Sequence, residues 1–144
     1  MGRAALGLLI WTLVEYLLHR FAFHRFGAAL RSEHLDHHRA PTDLRFLFAR
    51  PLLVVAGTST LAGAAWLATR DTAATAEFIG GILAGYLYYE AVHYRVHFST
   101  KPGWLLRRQR AAHFRHHFDE PTRNFGVTTP VWDWILRTAA SGSD

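Results

Sequence analysis

The apolar residues of this chain are concentrated in three blocks, and polar stretches rich in arginine and histidine follow the first and the third block. The blocks cover about residues 4–20, 51–69 and 73–92, and the third contains Glu77 and Glu90. A helix that crosses a bilayer needs roughly 20 mainly apolar residues. The pattern therefore predicts three membrane helices at these positions.

The connections between the blocks predict how the helices are arranged. Only the polar sequence RDTA separates the second block from the third, which predicts a tight helical hairpin, and Pro51 suits the first turn of its first helix. Gly81 and Gly85 form a GxxxG spacing that would allow another helix to approach closely in lipid. We interpret the first block as a retained helix rather than a signal peptide, because it continues into His19 without a small-residue cleavage site.

The positive charge of the chain lies outside these blocks. Of the 16 lysine and arginine residues, only Arg3 and Arg70 lie outside residues 20–50 and 95–137. A hairpin returns the chain to the side that it left, so both basic stretches share one face. The positive-inside rule assigns that face to the cytoplasm.

These elements together predict an all-α integral membrane protein that forms one domain over residues 1–144. Residues 21–50 and 93–138 would form a cytosolic helical cap rich in histidine. The alternative is a soluble bundle with two buried helices.

The chain contains no cysteine, which excludes disulfides, thiolate zinc sites and cysteine nucleophiles. The sequence shows no compact basic stripe with interleaved aromatic residues, so we expect no nucleic-acid partner.

All ten histidines fall in clusters that repeat in order along the chain. Each half contains a pair, HRFAFH or HYRVH, followed by a triplet, HLDHH or HFRHH. Residues at i, i+3 and i+4 share one helix face, so each triplet can present its imidazoles together. His19 and His24 are five residues apart, which is about 140° around an α-helix. Either the helix ends between them or they bind different metals.

Ten neutral imidazoles that converge are best explained as metal ligands. Imidazole binds iron, zinc, copper and nickel, and four to six ligands per ion would serve two metals. A pH-sensing cluster is an alternative, but it does not explain the repeated spacing. Nearby carboxylates should orient the imidazole N–H groups and balance the metal charge, and Glu15 and Glu90 precede His19 and His93 at suitable spacings. Tyr94 is a candidate hydrogen-bond donor near the site.

The order of these motifs around a membrane hairpin, with the C-terminal sequence NFGVTTPVWDWILRT, resembles the fatty acid hydroxylase/sterol desaturase superfamily. The segments EYLLHRFAFH and GYLYYEAVHYRVHF are most similar to the fatty acid 2-hydroxylases. The resemblance implies a di-iron centre in the cap, sometimes isolated with zinc. Asn124 and Asp133 match family positions and are further candidates around the site. The implied metal ligands are His19, His24, His34, His37, His38, His93, His97, His113, His116 and His117.

The resemblance also implies the activity. It implies a membrane hydroxylase that inserts oxygen from O2 into a C–H bond of a lipid, with a long-chain fatty acyl group as the leading substrate. We expect no fused cytochrome b5-like domain, so the two electrons would come from a separate ferredoxin or cytochrome b5-type protein. The alternatives are carotenoid (β-ring) or sterol hydroxylases or desaturases and, in another class, a non-catalytic metal-binding membrane protein. We expect a bacterial inner-membrane location with the histidines on the cytoplasmic side.

Overall fold

The structure is a computed structural model of the chain and describes residues 2–140. Within this range every regular element is a helix, which confirms the predicted all-α class. A π-helical segment, Leu18–Phe26, continues the first helix without a break. The α-helices are α1 (Arg3–Leu17), α2 (Ala28–Arg39), α3 (Leu44–Leu47), α4 (Pro51–Thr69), α5 (Thr72–Phe98), α6 (Trp104–Phe118) and α7 (Val131–Ile135).

Two helical stretches of the described residues are long and apolar enough to cross a membrane. They are Arg3–Phe26, with mean hydropathy 1.4, and Leu44–Thr69, with mean hydropathy 1.6. No residue of α4 is buried in the protein, which is typical of an apolar helix that faces lipid. The third predicted membrane helix, α5, is not one of the two, because its glutamates, glycines and tyrosines lower its hydropathy. It also continues beyond residue 92 to Phe98.

The connection between α4 and α5 is the tight turn that the sequence RDTA predicts. Arg70 ends α4 in the left-handed conformation, with φ 52°. Asp71 then begins α5, because its carboxylate accepts a hydrogen bond from the Ala74 N–H at 3.0 Å. The shortness of this turn makes α4 and α5 antiparallel neighbours.

α1 packs against α5 through glycines. Gly81 lies against the backbone carbonyl of Ala4, and Gly85 lies against the ring of Trp11, so a Cβ atom at either glycine would collide with α1. Ala4 faces Gly81 and Trp11 faces Gly85, so the residue numbers of both helices increase in the same direction. α1 and α5 therefore run parallel. The close approach predicted from the GxxxG spacing is therefore confirmed. Both helices lead towards the end of the molecule that holds the histidines.

Gly81→Leu should lower the stability of the protein, because its side chain can fit only if α1 moves away. Overpacking of this kind costs about 1–3 kcal/mol, and a backbone obstacle places it at the upper end. Gly80 provides a matched control, since a Cβ atom there would meet no atom within 4 Å. Circular dichroism of detergent-purified protein should show a lower Tm for Gly81→Leu than for Gly80→Leu. Equal Tm values would contradict the packing.

Candidate metal centre

The structure brings the ten histidines together as two groups of five. Within each group the candidate ligand atoms all lie within 4.8 Å of one another. We call the groups outer and inner, because every member of the inner group is buried whereas three members of the outer group are only half-buried. The outer group comprises His19, His24, His34, His38 and His116, and the inner group comprises His37, His93, His97, His113 and His117.

The π-helical segment explains how His19 and His24 reach the same group. The helix does not end between them, so the first alternative drawn from the sequence is wrong, and both rings fall in the same group of candidate ligands. A π-helix closes its turn between residues i and i+5. The helix therefore continues through Leu18–Phe26 and places both rings on one side, with their centroids 5.2 Å apart.

Each histidine triplet is divided between the two groups. α2 contributes His34 and His38 to the outer group and His37 to the inner group. α6 contributes His116 to the outer group and His113 and His117 to the inner group. The rings of His38 and His117 stack across the boundary, with centroids 4.1 Å apart and an interplanar angle of 6°. The two groups therefore form one centre held by α2 and α6.

Neighbouring Nε2 atoms lie close enough to bind one ion together. The pairs His19–His34 and His24–His116 are 3.0 Å apart, and in the inner group His97–His113 is also 3.0 Å apart. Two nitrogens bound to one ion at 2.0–2.1 Å would be about 2.9 Å apart at right angles and about 3.3 Å apart in a tetrahedron, so the spacing suits either arrangement. Each group offers five donors, one more than a closed tetrahedral zinc site uses.

Burial keeps the imidazoles neutral. It is the main cause that lowers the pKa of His37 to about 3, with nearby His97 as a smaller cause. Burial likewise lowers the pKa of His116 to about 3 and that of His97 to about 4. It also holds the pKa of His113 well below its usual range. Since the neutral ring is the form that binds metals, the folded chain presents these histidines in the binding form over a wide pH range.

Metal-free protein should lose stability as the pH falls. Below about pH 6.5 the unfolded chain binds protons at its histidines, whereas the buried rings of the folded chain resist protonation. The unfolded state then binds more protons, so the free energy of unfolding decreases from about pH 6.5 until the folded pKa values are reached. Chelator-treated protein should show a Tm that falls across this window, and a constant Tm would contradict the burial of neutral rings.

Two backbone carbonyls of the C-terminal segment orient rings of the outer group. The Nδ1–H of His19 donates to the Phe125 carbonyl at 2.5 Å, and the Nδ1–H of His116 donates to the Arg123 carbonyl at 2.7 Å. A carbonyl can only accept, so Nδ1 carries the proton in each ring and Nε2 keeps its lone pair for a metal. Sequence reasoning missed these contacts because every residue has a carbonyl.

Asp133 holds the segment that supplies these carbonyls. Its carboxylate accepts hydrogen bonds from the N–H groups of Phe125 and Gly126, at 2.9 and 2.8 Å, and from the Thr138 hydroxyl at 2.7 Å. Asn124 adopts φ 55° and accepts the N–H of Ala140 at 2.9 Å. These two residues therefore act on the histidines through the backbone of the loop.

Glu15 also contacts the C-terminal segment and not an imidazole. Its carboxylate accepts the N–H groups of Val127 and Thr128, at 2.6 and 2.9 Å, and the Thr128 hydroxyl. The sequence predicted that Glu15 would orient the ring of His19. In the structure it instead holds Val127 and Thr128 of the loop, next to the residues that Asp133 holds.

The remaining two candidates, Glu90 and Tyr94, do not contact an imidazole N–H as predicted. Glu90 accepts the N–H of Ala49 at 3.2 Å and ties the segment before α4 to α5. Tyr94 is 43% exposed and stacks against Phe48 and Phe98, with ring centroids 6.3 and 4.7 Å apart. It follows His93 by one residue, which turns it about 100° away around the helix.

The residues present fit a pair of metal ions. Both ring nitrogens of His117 are buried without a hydrogen-bond partner among the described residues. Such unsatisfied groups cost about 1–3 kcal/mol each, which an ion bound to one of these nitrogens would offset in part. The donor set is entirely imidazole, which suits iron, zinc, copper or nickel and not magnesium or calcium.

A cavity of about 310 Å³ adjoins both groups. His19 and His34 of the outer group and His37 and His93 of the inner group all line it. The rest of its wall is mainly apolar and comes from α1, α2, α4, α5 and the segment before α4. Both groups of imidazoles therefore face the same apolar space.

Fold and site together define an all-α membrane protein with two imidazole groups beside an apolar cavity. A family model described as fatty acid hydroxylase matches residues 4–138. The chain therefore belongs to the fatty acid hydroxylase family, which confirms the resemblance drawn from its histidine motifs.

Individual relatives agree with this assignment. A fatty acid 2-hydroxylase of Rattus norvegicus is 36% identical to this chain, over 96% of the chain and 39% of the rat protein. A dihydroceramide fatty acyl 2-hydroxylase of Arabidopsis thaliana is 35% identical, over 93% of the chain and 59% of that protein. A solved structure of full-length scs7p, in which only the hydroxylase domain is visible, superposes with a TM-score of 0.81 at 31% identity. It matches 99% of this chain and 56% of that one, so this chain is similar to only part of its longer relatives.

Proposed function

We propose that this chain is a membrane hydroxylase that inserts one oxygen atom of O2 into a C–H bond of a long-chain acyl lipid. The observation that carries the proposal is the single apolar cavity that both imidazole groups line. An acyl chain in this cavity would lie beside both groups and away from bulk water. The names of the relatives, which are fatty acid and dihydroceramide fatty acyl 2-hydroxylases, support the same substrate class.

We propose two iron ions as the cofactor, held by the outer and the inner group. Imidazole suits iron, and each group offers five donors, one more than a closed tetrahedral zinc site uses. Zinc binds the same donors and can take the place of iron during purification. When bound, the iron pair supplies O2 activation, in which one oxygen atom enters the C–H bond and the other is reduced to water with two electrons and two protons.

The protein's own residues bind the substrate and fix the rings. Apolar side chains of α1, α4 and α5 exclude water from the cavity and hold the acyl chain. The carbonyls of Arg123 and Phe125 keep the protons of His116 and His19 on Nδ1. Asp133 and Glu15 keep the loop with these carbonyls in place.

We propose that the two electrons come from a separate ferredoxin or cytochrome b5-type protein at the outer group. His24, His34 and His38 of this group are only half-buried. The exposed arginines of the cap support an acidic partner and a cytoplasmic location of this end, with the helices in a bacterial inner membrane. The non-catalytic alternative is less well supported, because a storage or structural metal site needs no apolar cavity beside it.

Lipid mass spectrometry of a bacterial host tests the proposed function. The host should express the full chain together with a reductase and a donor, and its lipids should gain species one oxygen heavier. Parallel cultures supplied with carotenoids or sterols test the other substrate classes. Unchanged acyl lipids together with hydroxylated carotenoids or sterols would overturn the acyl assignment. The absence of any oxygenated lipid despite a competent donor would overturn the enzymatic proposal.

A further inference from the structure

We propose that Gly57 of α4 forms a lateral opening of the cavity, through which the tail of a long acyl chain leaves towards the bilayer. The size of the residue at this position would then determine the longest acyl chain that the protein accepts. This inference rests on the proposed function, because it concerns the lipid that the cavity binds.

One face of α4 forms a wall of the cavity. Leu53, Val54, Gly57, Thr58 and Leu61 line it, at positions that follow one another along a single helix face. From Leu53 to Leu61 this wall extends about 12 Å along the helix. The opposite walls come from α1 and α5, so the cavity runs lengthwise between these helices.

The two ends of the cavity differ in polarity. The histidines and the Arg50–Glu33 ion pair lie at the end where α4 begins. Leu61 of α4 and Ile82 of α5 lie at the other end, within the apolar blocks. A lipid would therefore place its polar part near Arg50 and direct its acyl chain along α4.

Gly57 leaves a gap in this wall. A Cβ atom built at Gly57 would meet no atom within 4 Å. Gly57 is exposed, as is Leu53 one turn earlier, whereas Val54, Thr58 and Leu61 on the same face are half-buried. At Gly57 the cavity is therefore open to whatever surrounds α4. Since α4 is apolar enough to cross a membrane, that surrounding is the hydrocarbon of the bilayer.

The length of the cavity explains why an opening matters. Its α4 wall extends about 12 Å from Leu53 to Leu61. An acyl chain longer than the cavity fits only if its end leaves the cavity, and the gap at Gly57 provides that exit without moving a helix.

Substitutions of graded size at Gly57 test the inference. Gly57→Ala and Gly57→Leu should fold, because both fill open space and both residues favour a helix more than glycine. Gly63→Leu is the matched control, since Gly63 lies on the same helix in equally open space but does not line the cavity. Each variant should be expressed with the donor, and the chain lengths of the oxygenated lipids and of the co-purified lipids should be measured.

We expect Gly57→Leu to reduce the ratio of long-chain to short-chain products at least about tenfold, the lower end of the discrimination that one methylene in an apolar pocket produces. Gly57→Ala should give an intermediate ratio and Gly63→Leu the wild-type ratio. A Gly57→Leu ratio equal to that of Gly63→Leu, with product still formed, would overturn the opening but leave the hydroxylase proposal standing. If wild-type protein forms no product, the hydroxylase proposal fails, and the co-purified lipids then test the opening at Gly57. Loss of long-chain lipids only from Gly57→Leu would support the opening. Co-purified lipids that are the same in all variants would overturn it.

Discussion

His113→Ala should abolish hydroxylated lipid and remove metal from the inner group. His113 is 1% exposed, and its Nε2 lies 3.0 Å from that of His97, so its ring is held inside the inner group. Alanine leaves a cavity and one ligand fewer, and even residues that only support a ligand are worth 10–100-fold in metal affinity or activity. We therefore expect a loss of more than about 100-fold in product.

The metal content of the same protein separates a local effect from unfolding. Elemental analysis should find about two ions per wild-type chain and about one per His113→Ala chain, because the outer group is intact. Arg107→Ala is the control, since Arg107 is an exposed residue of the same helix. Full activity or full metal content in His113→Ala would contradict the assignment of the inner group.

Asp133→Ala should cause the second-largest loss of activity among these variants, although Asp133 does not contact an imidazole. The substitution leaves the buried N–H of Phe125 and that of Gly126 without their acceptor, at about 1–3 kcal/mol each. The loop is then free to move, and the carbonyls that orient His19 and His116 move with it. We expect a lower Tm together with a 10–100-fold loss of activity or outer-group metal affinity.

Two further variants make this prediction specific. Asp133→Asn keeps the size of the side chain but turns an N–H donor towards one of the two backbone N–H groups, so it should rescue only part of the loss. Asp119→Ala should behave as wild type, since Asp119 is an exposed acidic residue at the end of α6. An Asp133→Ala protein that keeps its metal and activity would show that the loop does not orient the rings.

The sequence was most informative where a pattern extends over many residues. The apolar block 51–69 coincides with α4, and the RDTA sequence forms the predicted turn. The GxxxG spacing predicted the close approach of Gly81 to another helix, although not that the partner is α1. Periodicity and length report such features because each depends on local geometry alone.

The sequence was less informative about the site, for two physical reasons. The π-helical turn that unites His19 and His24 changes the angular period, so an argument from 3.6 residues per turn fails there. The contact of Glu15 with Val127 joins residues that are distant in the chain, and spacing to a nearby histidine could not reveal it. Tyr94 was assigned from proximity in sequence, but adjacent helical residues point in different directions.

Isotope labelling of the product tests the central claim most directly. The full chain, with its metal, donor and a long-chain acyl lipid, should be supplied with O2 enriched in oxygen-18, and the lipid product analysed by mass spectrometry. One labelled oxygen atom should appear in the acyl chain, and His113→Ala should form no such product. Oxygenated lipid that carries unlabelled oxygen from water, or labelled product in equal amount from His113→Ala, would contradict O2-dependent hydroxylation at this centre.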